Sequence, residues 1–306
     1  MLSTVDDAEH PRVRTFHHRE FGVEELVDAK GSTTVSVCIP ARNEAATIGQ
    51  IVETIRAELV EAAPLVDEIV VLDDHSVDRT AQVAAHAGAR VVDASTTLSE
   101  YGSGHGKGEV LWKSVFASSG DIIVWCDADI IDFGSRFVTG TLGPLLTEPS
   151  IQFVKGFYDR PDVDGGGGGR VTELVARPLL SMLFPELGQI HQPLSGEYGG
   201  RRSVLERVRF VGGYGVDVCL LIDIVAEVGL AGVAQVDLDV RHHRNRPLDE
   251  LSPQATAVAQ AILHRAAPDL VGDHAMLVRP WRPPTPVDLD EFPPLVGLGA
   301  YLARTA

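Results

Sequence analysis

Apolar positions along this chain change period several times, and each change marks an element. Residues 34–39 form an almost unbroken β-branched apolar run stopped by Pro40, the pattern of a strand buried on both faces. Over residues 45–60, Ile48, Ile51, Val52, Ile55 and Leu59 recur at three- and four-residue spacing, which predicts an amphipathic helix. The alternation continues with a strand over 68–72, a helix over 80–87 and a short strand at 90–92. A helix over 108–117 and a strand over 121–126 follow. Strands alternating with helices at this spacing predict an α/β fold, a mostly parallel sheet flanked by helices. Ligands in such sheets bind beyond the carboxyl ends of the strands, so the residues after each strand are where chemistry is sought.

The second half is less regular. A strand is expected at 151–157, a loop with five consecutive glycines at 162–169, and a helix over 171–183 interrupted by Pro178. Further helices are expected over 216–228 and 255–266, with a strand over 234–240 between them. Residues 1–30 read as a polar arm carrying a short amphipathic stretch at 21–30. Residues 267–306 read as a tail with six prolines from Pro280 to Pro294, extended and either packing on a neighbour or wandering. The expected organisation is thus a regular α/β half over 31–157 and a smaller, less regular half over 158–266, between arm and tail.

Composition narrows the partners. The 306 residues carry 26 Lys plus Arg against 43 Asp plus Glu, a formal charge of −17. Nucleic acid and anionic membrane both repel such a surface and are excluded as main partners. An anionic small molecule therefore needs a local basic patch. Cys38, Cys126 and Cys219 are isolated within apolar runs, as expected of buried thiols in a reducing compartment. The N-terminus lacks the apolar core of a signal peptide, and no apolar run approaches the roughly 18 residues of a membrane span. A cytoplasmic protein is expected.

Polar residues cluster at the strand ends. Pro40-Ala41-Arg42-Asn43-Glu44 follows the first strand, Asp73-Asp74-His75-Ser76 the second, and Asp127-Ala128-Asp129 the fourth. A single acidic turn, such as the one holding Asp78, is ordinary capping. Three on one sheet edge are harder to attribute to capping. Asp127 and Asp129 end a buried strand with two like charges, whose repulsion a divalent cation removes; hard carboxylate oxygens suit Mg²⁺ or Mn²⁺. A solvated capping turn is the alternative. Residues 241–246 (RHHRNR) form a basic cluster suited to anions, or else a salt-bridged face. Gly169-Arg170-Val171-Thr172 opens a helix with free amides, a cation and a hydroxyl, either an anion site or a capped Gly-rich loop. Lys107, one of only four lysines, stands between glycines before a helix.

A strand followed by PARNE, one followed by DDHS and one followed by DAD resembles the nucleotide-sugar half of a GT-A glycosyltransferase, a Rossmann-like fold. The blocks GGGRVTELVARPLL, QPLSGEYGGRR, GYGVDVCLLID and VRHHRNRPLDEL narrow the resemblance to glucosyl-3-phosphoglycerate synthases. It runs over about residues 34–265. The resemblance implies transfer of glucose from UDP-glucose to the 2-hydroxyl of 3-phosphoglycerate, with retention, a divalent metal and a homodimer. It implies donor contacts from Pro40, Ala41, Arg42, Glu44, Asp73, Asp74, Lys107, Asp127, Ala128, Tyr214 and Arg241, with Asp73 at the uracil. Asp129 and His243 would hold the metal. Gly169, Arg170, Thr172 and Asn245 would hold the acceptor. Asp217 would face the donor sugar, and Leu194 would lend a backbone carbonyl near the reacting centre.

The chain departs from the family at three of these positions. Asp217 stands where Glu is usual, Asp74 where Ser is common, and His242 where a small residue is usual. A transferase using GDP-mannose, GDP-glucose or ADP-glucose, or another small acid acceptor, remains an alternative. A polyprenyl-phosphate glycosyltransferase shares the first-half motifs but usually carries a membrane anchor. A nucleotide-sugar sensor without turnover would keep the uridine turn and lose metal or acceptor groups.

Overall fold

The computed structural model describes residues 12–160, 169–242, 248–272 and 274–305. The first elements in chain order are β1 (Arg14–His17), α1 (Val23–Lys30), β2 (Val35–Ala41) and α2 (Ile48–Arg56). Then come β3 (Glu68–Asp73), α3 (Thr80–Ala87), β4 (Arg90–Asp93), α4 (Lys107–Ala117) and β5 (Ile122–Trp125). The middle of the chain supplies α5 (Arg136–Thr147), β6 (Phe153–Asp159), α6 (Arg177–Leu183), β7 (Tyr198–Arg201) and α7 (Arg202–Leu205). Next are β8 (Phe210–Val211), α8 (Val216–Val228), β9 (Val233–Val240) and α9 (Leu248–Ala266). The last are β10 (His274–Arg279), β11 (Arg282–Asp288), β12 (Glu291–Phe292) and α10 (Gly299–Thr305).

The main sheet has eight strands in the order β1-β9-β6-β7-β5-β2-β3-β4. Only β7 runs against its neighbours, pairing antiparallel with both β5 and β6. The expected mostly parallel sheet flanked by helices is what forms. Its two faces explain the unbroken apolar runs. Val37 and Ile39 of β2 point to one side, where Ile48, Ile51 and Ile55 of α2 and Phe137 and Leu142 of α5 cover them. Cys38, between them, faces Leu111, Trp112 and Val115 of α4 on the other side. Burying each of the larger side chains contributes about 1.5–3 kcal/mol.

Several expectations change. The polar arm enters the sheet from residue 14: β1 pairs in parallel with β9, Arg14 opposite Ala234 and His17 opposite Asp237. Asp239 clasps it, 2.7 Å from His18 Nε2 and 2.6 Å from Arg19 Nη2. The Pro-rich tail packs on its own chain. β10 and β11 form a two-stranded hairpin, where each strand has an open edge that tolerates residues lacking an N–H. β12 pairs with β8, and Phe292 stacks on Trp112 with ring centroids 5.2 Å apart. Pro178 does not break its helix. A wide turn over Thr172–Ala176 leads into α6, where Pro178 stands in the first turn and forfeits no hydrogen bond. Finally, β6 and β9 slip register between Phe157 and Asp159, with Asp239 in the left-handed region at φ 64°. This bulge re-aims β9 just before Arg241.

Candidate active site

Two turns at the carboxyl edge of the sheet are stitched together. Asn43 N–H donates to Ser76 Oγ (3.0 Å), Val77 N–H to Asn43 Oδ1 (2.9 Å), and Glu44 N–H to Thr80 Oγ1 (2.8 Å). Asn43 and His75 adopt left-handed backbone, φ 56° and 54°. For a non-glycine residue this is unusual, and its cost of order 1 kcal/mol is tolerated where tertiary bonds hold the turn. Asp78, one residue before the N-cap of α3, accepts from Thr80 N–H at 2.9 Å and from Ala45 N–H at 3.2 Å, an ordinary turn-bracing role.

A cavity of about 640 Å³ opens along this edge. Pro40, Ala41, Arg42 and Glu44 line one end with Asp74. Lys107, at the start of α4, and Asp127, Ala128 and Asp129, after β5, also line it. So do Gly169, Arg170, Thr172 and Leu194, with Tyr214, Asp217 and Arg241. Residues distant in sequence thus line one cavity, and Asp73 is not among them. Its Oδ2 accepts Ser76 N–H at 3.2 Å, while Oδ1 is buried without a hydrogen-bond partner among the described residues. His243 and Asn245 lie outside the described residues.

The centre of the cavity is a charge network. Arg241, 3% exposed, places Nη2 at 2.7 Å from Asp129 Oδ1 and 3.1 Å from Asp127 Oδ2. Its Nη1 donates to Tyr158 Oη at 2.7 Å and lies 3.3 Å from Glu197 Oε1. Lys107 Nζ bridges Asp127 Oδ1 (3.3 Å) and Asp217 Oδ2 (3.2 Å). Burial alone would push the Asp127 carboxyl up, but the Lys107 and Arg241 cations outweigh it and hold it well below the usual carboxylate range. Burial dominates at Glu197 and raises its carboxyl despite Arg241. Asp217 is held at both oxygens, since Tyr198 Oη donates to Oδ1 at 2.9 Å. The shorter acid is therefore anchored within the protein. Asp129 is the most open of these carboxylates, 41% exposed at the side chain, and Arg241 bonds only its Oδ1 among the described residues. Hard oxygens at the end of a strand, one of them beside the cavity with spare lone pairs, fit Mg²⁺ or Mn²⁺.

Sequence reasoning missed the layer beneath this network. Glu197, wholly buried, lies inside the QPLSGEYGG block, and an acid set between Gly196 and Tyr198 in that block was the available signal. Tyr158, Tyr198 and Lys155 gave none. Lys155 Nζ donates to Ser195 O at 2.9 Å and sits 4.0 Å from the centre of the Tyr198 ring; burial lowers its ammonium to about 8. Arg160, His105 and the α9 residues Leu251, Gln254 and Val258 also line the cavity.

Gly196 shows how closely the parts fit. A Cβ built there would lie 2.1 Å from Asp127 Oδ2, so any side chain displaces that carboxylate. Displacing Asp127 strains its ion pairs with Lys107 and Arg241, so Gly196→Ala is expected to fold with a lowered denaturation midpoint. Turnover should fall by about 100-fold, the effect of an ångström-scale misplacement. Normal turnover would mean that Asp127 need not stand where the structure puts it.

Comparison with known proteins identifies the ensemble. The model for "Glycosyl transferase family 2" matches residues 36–208. The chain is 44% identical over 308 residues to the glucosyl-3-phosphoglycerate synthase of Petrotoga mobilis, covering 94% of this chain and 95% of that one. It is 51% identical over 248 residues to the synthase of Mycolicibacterium smegmatis, covering 79% and 81%. The Mycobacterium tuberculosis synthase, solved with Mn²⁺, UDP-glucose and phosphoglyceric acid, superposes with a TM-score of 0.84. It shares 45% identity over 93% of this chain and 98% of that chain. The same synthase has been solved with Mn²⁺, UDP and glucosyl-3-phosphoglycerate, at a TM-score of 0.80 and 43% identity. By this match and these relatives, the chain belongs to glycosyl transferase family 2, among the glucosyl-3-phosphoglycerate synthases.

Proposed function

We propose that this enzyme transfers glucose from UDP-glucose to the 2-hydroxyl of 3-phosphoglycerate, with Mg²⁺ or Mn²⁺. The observation that carries the reading is the convergence of the donor turns, Asp127 and Asp129, and the Gly169–Thr172 segment on one cavity. Residues 31–157 supply the nucleotide-sugar side and residues 158–266 the acceptor side. Pro40, Ala41 and Glu44 border the nucleoside, at the part of the cavity that Asp74 also lines.

Asp129, together with His243, would hold the metal, which when bound offsets negative charge on the departing UDP. Arg241 and Lys107 fix the Asp127 and Asp129 carboxylates, so the cation site is set before substrate arrives. Asp217, anchored by Lys107 and Tyr198, keeps its carboxylate at the sugar end. Arg170 and Thr172 bind acceptor phosphate and carboxylate, and Leu194 offers its carbonyl near the reacting centre. The acceptor hydroxyl attacks from the leaving-group face, giving retention. A transfer assay with 3-phosphoglycerate against UDP-, GDP- and ADP-sugars, read by product mass, tests the reading. Turnover with another donor in preference to UDP-glucose would overturn it.

Arg170→Ala should raise the KM for 3-phosphoglycerate by about 10–100-fold, the loss of one or two hydrogen bonds to a charged group. The KM for UDP-glucose should stay constant. An unchanged acceptor KM would remove Arg170 from the anion site.

No described helix is long and apolar enough to cross a membrane. A cytoplasmic homodimer is part of the same reading. Met276, Val278 and Trp281 are 55%, 70% and 75% exposed on the β10–β11 hairpin and support self-association. Light scattering of the purified protein decides between dimer and monomer.

A further inference from the structure

At the nucleoside end of the cavity, Asp74, a donor contact by resemblance, is joined by two histidines that the transfer chemistry does not use. Asp74 Oδ1 lies 3.1 Å from His75 Nδ1 and 3.3 Å from His105 Nδ1. A ligand atom from each of the three residues falls within 4.8 Å of the others. We propose that Asp74, His75 and His105 form a second metal site, for a zinc-class divalent ion, at the mouth of the donor pocket.

Four observations support it. First, tetrahedral zinc with bonds of about 2.0–2.1 Å sets its ligand atoms roughly 3.3 Å apart, and both Asp–His separations match that edge. Second, the carboxylate is oriented from behind: Gly106 N–H donates to Asp74 Oδ2 at 3.0 Å, leaving Oδ1 for the histidines. Third, His75 takes up left-handed backbone, at φ 54°, in the turn that places its imidazole beside Asp74. Fourth, the imidazoles are half open, 41% and 56% exposed at the side chain, so coordination positions remain for water or ligand. Two imidazoles and one carboxylate prefer Zn²⁺, Ni²⁺ or Co²⁺ to Mg²⁺, whereas the all-oxygen pair at Asp127 and Asp129 has the opposite preference. Arg42 Nη1 lies 3.2 Å from His105 Nδ1 and must give way, which an exposed, flexible side chain can do.

Asp74 and His105 line the same cavity as Pro40 and Ala41. An ion bound there occupies space beside the nucleoside. Zinc should therefore compete with the donor and not with the acceptor, a consequence that rests on the donor assignment above; binding itself does not.

The test is calorimetric titration of the metal-free protein with Zn²⁺ in excess Mg²⁺, alongside Co²⁺ absorption spectra. One saturable zinc site is expected, with visible Co²⁺ bands of a low-coordinate nitrogen–oxygen site. His75→Asn, which tolerates the left-handed backbone, and His105→Gln should each weaken zinc by at least about tenfold, and the double variant should abolish the bands. Its denaturation midpoint establishes that it folds. Equal zinc binding by the double variant overturns the site. Zinc binding that disappears in the double variant but is indifferent to saturating UDP keeps the site and overturns its placement against the nucleoside.

Discussion

Asp129→Asn is expected to lower kcat by about 1,000-fold or more while leaving the fold intact. The amide oxygen still accepts from Arg241, whose Nη2 is 2.7 Å away in the native protein, so the network keeps that hydrogen bond. What disappears is the negative charge on the most open carboxylate of the site. A divalent cation bound at hard oxygens loses its anionic ligand, and with it the charge stabilisation of departing UDP, which is several kcal/mol. Asp129→Ala should behave alike in turnover, and both should lose Mn²⁺-dependent tightening of UDP binding. Metal-dependent turnover close to native in Asp129→Asn would remove Asp129 from the metal site. The pair of variants also separates two roles. A large loss in Asp129→Ala with little in Asp129→Asn would assign the residue to holding Arg241 instead.

Replacing Arg241 should be costly for the fold as well as for catalysis. Its guanidinium is nearly inaccessible and lies against Asp127, Asp129 and Glu197. Glu197 is wholly buried, so losing the cation leaves it and Asp127 with Lys107 as their principal counter-charge. Breaking a buried ion pair from one side typically costs about 3–5 kcal/mol. Arg241→Met, which keeps volume but not charge, should lower the denaturant midpoint by an amount in that range and abolish transfer. Adding Glu197→Gln removes one orphaned charge and should restore much of the stability and none of the activity. A single variant as stable as the native protein would show that water enters this pocket more freely than its burial implies.

These two predictions involve different grades of legibility. Asp129 was readable because a strand announces itself locally: four apolar residues on β5 end abruptly in Asp-Ala-Asp, and like charges in that place need an explanation. Lys107 stood out by its place between glycines at a helix start and Arg241 by its basic cluster, whereas Asp217 came only from the family resemblance. Their union was not readable. That Lys107 bridges Asp127 and Asp217, and that Arg241 spans both aspartates and Glu197, joins residues up to 114 positions apart. Asp73 illustrates the converse. Its place in an acidic turn was plain, but which of two adjacent carboxylates faces the cavity depends on the left-handed His75 turn, and Asp74 is the one that lines it.

The sequence by itself determined the alternation of strands and helices, the parallel character of most of the sheet, and the turns that carry chemistry. Those features follow from period and from local charge, which act over a few residues. Only the tertiary structure decided that the N-terminal arm completes the sheet beside β9, since four half-polar residues become a strand only when a partner edge takes up their hydrogen bonds. The same holds for β7, whose Tyr-Gly-Gly-Arg has little strand propensity and forms because β5 and β6 flank it on both sides. It holds also for the Pro-rich tail, which is ordered by Phe292 against Trp112. Glu197 belongs to this second class. Its neighbours could single out the carboxylate but not the cation that pairs with it, Arg241, which arrives 44 residues later, after the bulge in β9.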